Sequence, residues 1–599
     1  MRKPNKDQAF NPCPPPPAGR GIPRVAGSDR SPVVRGPGAS LIQGPAAPVA
    51  LLTLFWLAMI VLVDPRGDFP LNDDWACARA VETLAREGVL RIPGWLSMSA
   101  VAEILWGWLF RSIFGASFAV LRASTLTLSL AGVLATYGAL REGSVRRWVA
   151  FAAAAGLAAN PIYLVMSCTF MTDVPFCAFA AVALLFFVRC LRRPTTPDLV
   201  LGILFATIAT LTRQFGLVLP LAFGAAHLIR RPWRTGRLVT AAVPAVVSGG
   251  VLLIYQKWLA ATAGLPLAYR SPGARIQMFL SYGAREIVIY TLWSIVVLLV
   301  YSGLYALPVL PFVRLPRRGA LRWALPGWLA ASVVITGYMA KIDWLMPITG
   351  NILWESGLGP GTLRDVYIDT LPHLPVLPRS LWFIMTFFAI AGGGLLIGWT
   401  TASVARSVRR LRRLRPGAGD RLAVFSILVI VLYAGLFVLG ELFDRYLLFV
   451  YPVFAFLLLR GARPPRSSPR LMSALALCLL FALFGVAGTH DYLAWNRARW
   501  ALLGDLVGTR KIAPSRIDGG FEFNAVHLYR DGYSAPPGKS WWWVQDDEYV
   551  LAFGPMDGYL VESERSYGRW LPPGEGRVLI LHRTAGGVAV PPPARYRNP

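Results

Sequence analysis

Four polar clusters interrupt an otherwise apolar chain, and each carries side chains able to do chemistry. Asn72-Asp73-Asp74-Trp75 sets two carboxylates side by side where a helix should begin. Adjacent residues do not share a helix face, so one acid can cap the helix while the other acts as a general base. Thr172-Asp173-Val174-Pro175 opens another helix with a further carboxylate. Asp73 and Asp173 together can activate a hydroxyl or grip a cation; ordinary helix capping is the plain alternative for both. Arg213-Gln214 lies between two apolar runs, and Asp444-Arg445-Tyr446 follows Glu441 before another. A guanidinium forks onto phosphate or carboxylate oxygens, so Arg213 and Arg445 suit an anion, with phosphate the obvious one. The plain alternatives are a snorkelling Arg213, an Arg445 paired with Asp444, and a Tyr446 that only joins an aromatic belt. The five histidines form no helical ligand pair and no HExxH; only His373 and His490 lie where they could enter such a site. There is no Walker loop and no GxGxxG opening a βαβ unit, which argues against ATP-driven pumping.

These clusters must be held by membrane helices. In 599 residues, 55% are hydrophobic and only 15% charged, with 21 Trp, 31 Phe and 20 Tyr, and mean hydropathy is +0.50. Ordinary soluble proteins carry about 25% charged residues, and so few charges cannot tile a soluble surface. The net charge of +28 comes from 60 Lys+Arg against 32 Asp+Glu. The basic residues sit in short runs between apolar segments, which fits a membrane protein rather than nucleic-acid binding. None of the six cysteines forms a CxxC pair, so no metal or redox site follows from them.

Residues 1–46, rich in Pro, Gly and Arg, are expected to be a disordered cytoplasmic tail. About thirteen apolar segments approach the roughly 20 residues that cross a bilayer: 47–63, 119–140, 148–165, 174–191, 198–212, 214–229, 238–257, 286–311, 322–340, 381–400, 421–440, 446–460 and 470–488. With the N-terminus inside, every inner loop is Arg-rich, as in 141–147, 230–237 and 401–421. Nearly all loop acids then fall outside, Asp73, Asp74, Asp173 and Asp444 among them. Residues 97–114, which carry Glu103 and Arg111, read as an interfacial helix, giving a first outer loop 64–118 with helices at 73–88 and 97–114. Residues 489–599 have the turns and short alternations of a small α/β or mostly β outer domain. The expectation is an all-α polytopic membrane protein with such a domain appended. Arg-heavy, Lys-poor, Gly-, Ala- and Pro-rich usage suggests a bacterial inner membrane.

In this order and on this side of the membrane, the clusters resemble those of the GT-C type integral-membrane glycosyltransferases. The similarity is to the glycosyltransferase family 39-like group that holds protein O-mannosyltransferases and the lipid A aminoarabinose transferase. The family opens a helix in its first outer loop with Asp-Glu, often followed by Tyr-Ala; here the match is Asp73-Asp74-Trp75-Ala76-Cys77-Ala78, with Asp for Glu and Cys for Tyr. Asp173 matches the acid of the second outer loop, and Arg445-Tyr446, followed by Leu447 and Pro452, matches an Arg-Tyr motif before a late span. The resemblance covers roughly 47–488. It implies transfer of a sugar from a polyprenyl-phosphate donor to a lipid, glycan or protein acceptor at the outer face. It implies Asp73 as base, with Asp74 its neighbour in the pair. Asp173 then orients the acceptor or binds a divalent cation, and Arg213, Arg445 and Tyr446 meet the donor phosphate. No cofactor beyond that optional cation is implied. The rival readings are a transporter or lipid flippase, which should show repeats and mid-membrane charges, and a non-catalytic scaffold. No repeat is visible, and the spans are nearly free of charge.

Overall fold

The computed structural model describes residue 44 and residues 46–584 apart from 230–231, 267, 270–276, 278–280, 314–320, 368–373, 375, 413–416, 439–441, 460–467, 537–538 and 541. Most of the tail read as disordered (1–43 and 45), Glu441 and His373 lie outside them. Helix α1 (Ala47–Val63) is apolar throughout. Helix α2 (Asp74–Glu87) is amphipathic: Cys77, Ala80 and Val81 are buried, and Gly88 ends it in the left-handed conformation at φ 69°. Helix α3 (Val101–Phe114) lies against α2, joined by Arg111 to Glu82 at 2.8 Å. Helices therefore lie close to the expected 73–88 and 97–114.

Helix α4 (Phe118–Glu142) starts at Ser117, whose hydroxyl accepts the Val120 N–H at 3.1 Å. Near its start it buries Arg122, which laces the 64–72 and 168–172 loops together. Nε donates to Cys168 O at 2.7 Å, Nη1 to Pro65 O at 2.6 Å and Gly67 O at 2.9 Å, and Nη2 to Phe69 O at 3.1 Å. Helices α5 (Arg147–Ala158) and α6 (Pro161–Ser167) meet at a 61° bend. Asn160 makes that bend: its side chain caps Ile162 and Tyr163, and Pro161 fits the first helical position. Helix α7 (Asp173–Arg192) packs on α4 and on α8 (Thr196–Thr212); a 3₁₀ turn, Gln214–Leu217, then leads to α9 (Val218–Leu228). The bundle continues through α10 (Thr235–Thr262), α11 (Ala284–Ala306), α12 (Leu321–Lys341), α13 (Arg379–Arg412) and α14 (Ala418–Val438). Helices α11 and α13 cross at bare backbone, since a Cβ on Gly303 would lie 2.2 Å from Ala389 O and Gly393 N.

The sequence count of about thirteen spans is corrected here. Among the described residues, seven helices are long and apolar enough to cross a membrane, or eight if α5 and α6 form one bent span. The physical reason is that hydropathy does not register where a helix breaks. The 446–460 run divides into a 3₁₀ stretch, Asp444–Val450, and the short α15 (Tyr451–Leu459). Helices α1, α8 and the 214–228 segment are apolar but short. Helix α12 is diluted by Trp, Pro, Gly and Tyr.

The last long helix, α16 (Ser468–Gly504), continues well past the expected span end at 488. Beyond it come strand β3 (Ile517–Asp518), helix α17 (Phe521–Leu528) and strands β4 (Tyr549–Ala552), β5 (Tyr559–Trp570) and β6 (Pro573–Arg583). They form a sheet in the order β3-β4-β6-β5, with β3 and β4 parallel and the other pairs antiparallel. The sheet is tied to α16: Asp491 accepts the N–H groups of Trp570 and Leu571 at 2.8 and 2.7 Å, and His490 stacks on Trp570 at 4.0 Å. The chain is thus an all-α polytopic membrane protein with a β-rich C-terminal region.

Arg122→Met should strand the carbonyls of Pro65, Gly67, Phe69 and Cys168 together. Since hydrogen bonds to a charged group are worth about 1.5–3 kcal/mol each, the variant should unfold at clearly lower temperature in detergent. A melting curve matching wild type would show that the lacing contributes nothing.

Candidate active site

The acidic pair is split by the backbone that carries it. Asn72 adopts φ +54°, a left-handed turn that Asn tolerates better than most residues. Asp74 then points inward. Its Oδ1 accepts Leu71 N–H at 2.8 Å and its Oδ2 accepts Phe170 N–H at 3.3 Å, so it joins the turn before α2 to the loop before α7. Burial pushes its carboxyl well above the usual range, against the opposing pull of those amides and Arg122. Asp73 occupies the N-cap position of α2 without making a side-chain cap bond. Instead its Oδ1 accepts the Trp95 indole N–H at 2.8 Å, and its Oδ2 lies 3.6 Å from Arg445 Nη2. Its side chain is 24% exposed, whereas that of Asp173 is 1% exposed. The partly exposed acid is the one free to meet a substrate.

Asp173 begins α7, again without a side-chain cap bond at that helix end. Arg213 follows α8 in extended backbone, φ −142° and ψ 131°, which turns its side chain out of the helix line. Its Nη2 lies 2.8 Å from Asp173 Oδ2, and its Nε donates to Thr172 Oγ1 at 2.8 Å. Arg445 approaches from the 3₁₀ stretch, with Nε 3.8 Å from Asp173 Oδ1. The Tyr446 ring lies 4.9 Å from the Arg213 guanidinium carbon and 5.6 Å from that of Arg445. Five residues chosen from sequence, Asp73, Asp173, Arg213, Arg445 and Tyr446, therefore meet in one place. The ion pairs are close but not aligned as hydrogen bonds. Asp173 Oδ1 and Oδ2, Arg213 Nη2 and Arg445 Nε are buried without an aligned partner. Such groups are costly in a protein interior, and a bound anion or hydroxyl would satisfy them.

Asp444 plays a different part from the one considered for it. It does not hold the Arg445 side chain. Its Oδ2 accepts Ile352 and Leu353 N–H at 3.0 and 2.8 Å, and its Oδ1 accepts Arg445 N–H at 2.7 Å. This pins the small hairpin of β1 (Leu353–Trp354) and β2 (Gly357–Leu358) beside the site. Burial raises its carboxyl to about 6. His490 stays with Trp570 and Asp491, away from the cluster.

Three contributions escape a reading of the sequence. Glu103, on α3, is fully buried with neither carboxylate oxygen hydrogen-bonded, and burial holds it well above the ordinary range, with Arg213 the main opposing influence. Its one signal was an acid within an apolar stretch. Trp95 donates to Asp73, and Glu522 accepts the Asn72 N–H at 2.9 Å across 450 positions; neither has a local signature. Among the described residues, no three His, Cys, Asp or Glu side chains are grouped to hold a metal. A hard dication takes six or more oxygens, and Asp73 and Asp173 already face guanidiniums. They do not fit such an ion as arranged.

The family model described as dolichyl-phosphate-mannose-protein mannosyltransferase matches residues 104–264, which hold Asp173 and Arg213. No curated protein matches at a significant level. Solved structures similar to the chain include ArnT from Cupriavidus metallidurans bound to undecaprenyl phosphate: 15% identity, TM-score 0.30, 68% of this chain and 78% of that one covered. Another is the oligosaccharyltransferase of Archaeoglobus fulgidus in the apo form, at 14% identity and TM-score 0.40, over 75% of this chain and 56% of that one. Its complex with Zn and sulfate gives 15%, 0.38, 74% and 53%. The chain thus spans just over half the length of the oligosaccharyltransferase.

The Asp444 carboxyl makes stability pH-dependent. Its folded value, about 6, lies above the ordinary 3.8. The folded protein therefore holds the proton more tightly, and this contribution is full below pH ~4 and lost as pH rises through ~6. Asp444→Asn has no such proton. The stability of wild type relative to D444N should fall by roughly 2–3 kcal/mol between pH 4 and pH 7.5. A constant difference across that range would contradict the assignment.

Proposed function

We propose that the chain is a glycosyltransferase that moves a sugar from a polyprenyl-phosphate-linked donor to a lipid, glycan or protein acceptor at the outer face of the membrane. The observation that carries this reading is the partly exposed Asp73 carboxylate in one cluster with two buried guanidiniums whose donors are not fully used. The family match across Asp173 and Arg213 supports it. The donor's lipid lies among the short apolar helices, and its phosphate meets Arg213 and Arg445. Asp73 takes the proton from the acceptor hydroxyl or amine as that atom attacks the anomeric carbon. The bond from that carbon to the phosphate oxygen breaks with its electron pair leaving on the phosphate, and the two arginines stabilise the growing charge. Asp173 balances Arg213 before the donor arrives and orients the acceptor afterwards. Tyr446 offers its ring to both guanidiniums. Asp74 holds the turn and does not react.

The Arg distribution supports an inner N-terminus, with the region after α16 outside and α3 on the outer surface of the membrane. The proposed catalytic part is then 47–488, with an extracytoplasmic domain over 489–599. A single cysteine at exposed position 530 should label from outside in cells whose outer envelope admits the reagent. Labelling only after the inner membrane is opened would reverse the orientation.

Asp73→Asn should leave folding nearly intact, since Asp73 caps nothing, while turnover falls about 10²–10⁴-fold. Asp74→Asn should instead lower stability, because an amide cannot serve both backbone N–H groups as a carboxylate does. Arg213→Ala or Arg445→Ala should weaken binding of a short polyprenyl phosphate and cost about 10²–10³-fold in turnover. Normal turnover in D73N, or unchanged phosphate binding in both arginine variants, would remove the corresponding role.

A further inference from the structure

We infer that Glu522 is a positioning residue for Asp73, so that the segment beyond the last long helix sets the reach of the base. This rests on the glycosyltransferase reading above. Glu522 Oε1 accepts the N–H of Asn72, the residue before Asp73, whose φ of +54° needs an external hold. Glu522 Oε2 accepts from Thr362 Oγ1 and Arg499 Nη1, each at 2.7 Å. Glu522 and Arg499 have no exposed side-chain surface. Arg499 Nε is fixed in turn by Gly519 O at 2.9 Å. The approach is tight at Gly520, φ +83°, where a Cβ would sit 2.4 Å from Thr362 O and 2.8 Å from Arg499 Nη2. The carboxylate therefore has little freedom, and neither does the amide it grips.

The same helix turn reaches Asp73 by a second route. Phe521 packs against Trp95 with ring centroids 5.7 Å apart, and Trp543 packs against both, 5.2 Å from Trp95 and 5.8 Å from Phe521. Trp95 is the indole that donates to Asp73. Helix α17 thus holds the backbone before the base through Glu522 and the donor on the base through Phe521. Arg213 and Arg445 receive no contact from Glu522 or Arg499 in these networks. Loosening Glu522 should therefore misplace the base and spare the phosphate site.

The test is turnover, donor KM and binding of a short polyprenyl phosphate in full-length Glu522→Gln, in wild-type and Asp73→Asn backgrounds. A misplaced catalytic group of this kind costs on the order of 10²-fold. We expect kcat to fall about 10–100-fold with KM and phosphate binding nearly unchanged, and the same substitution to cost less than about 2-fold in D73N, where no base remains to misplace. If D73N turnover is too low to read, Trp95→Phe serves as the background and the loss should again be smaller than in wild type. If E522Q does not fold, Thr362→Val, which keeps the Glu522–Arg499 pair, should show the same split at smaller size. An equal loss in both backgrounds, or weakened phosphate binding, overturns the inference while leaving the base role of Asp73 standing. Full turnover in D73N alone overturns both.

Discussion

The structure depends on keeping two guanidiniums and two carboxylates together at one end of an apolar helix bundle. Arg213 and Asp173 are almost without exposure and 2.8 Å apart, and Arg445 spans from Asp173 to Asp73. Removing charges from water costs several kcal/mol per ion, and replacing such groups with packed apolar side chains is often neutral or stabilising. Stability is therefore a weak reason for them to be there. The cluster is charge-balanced as it stands, and its contacts are near but imperfectly aligned. An incoming phosphate could take over the two cations without leaving Asp173 and Asp73 far from compensation.

The surrounding fold solves the problem of bringing four short segments to that point. Each charged residue sits where a regular element starts or stops: Asp73 before α2, Asp173 at the start of α7, Arg213 after α8, and Arg445 in the 3₁₀ stretch before α15. Helix ends have free backbone groups, so polar side chains are tolerated there. Buried polar ties fix the ends against one another: Arg122 from Pro65, Gly67 and Phe69 to Cys168, Asp74 from α2 to Phe170, Asp444 to the hairpin, and Glu522 from the C-terminal region to Asn72. Helix breaks in otherwise apolar runs are the price of bringing these ends into the interior.

Those same breaks explain what the sequence made legible. Asp73, Asp173, Arg213, Arg445 and Tyr446 could be chosen because side-of-membrane reasoning needs only the order of apolar runs and the placement of Arg. The helix at α3 and the β-rich end followed from charge and turn patterns. The number of spans did not, because a 61° bend at Asn160-Pro161 and the 3₁₀ stretch at Asp444–Val450 leave hydropathy unchanged. Asp444 looked like a partner for Arg445 because the two are neighbours in sequence, yet its acceptors went to backbone amides of residues 352 and 353. Trp95, Glu103 and Glu522 were invisible as site residues for a related reason. Their places in the site are set only by folding, and a lone Glu or Trp carries no spacing that announces them.

The central claim is that Arg213 and Arg445 form the seat of a lipid-linked phosphate next to Asp73. A cryo-EM reconstruction of the full chain in nanodiscs with a polyprenyl phosphate would test it most directly. The account predicts phosphate density within about 3 Å of guanidinium nitrogens of both arginines, with the isoprenoid tail leaving between helices and Asp73 open to the acceptor side. Phosphate density bound instead at the Arg-rich loops of the opposite face, with the Arg213–Asp173 pair undisturbed, would contradict it.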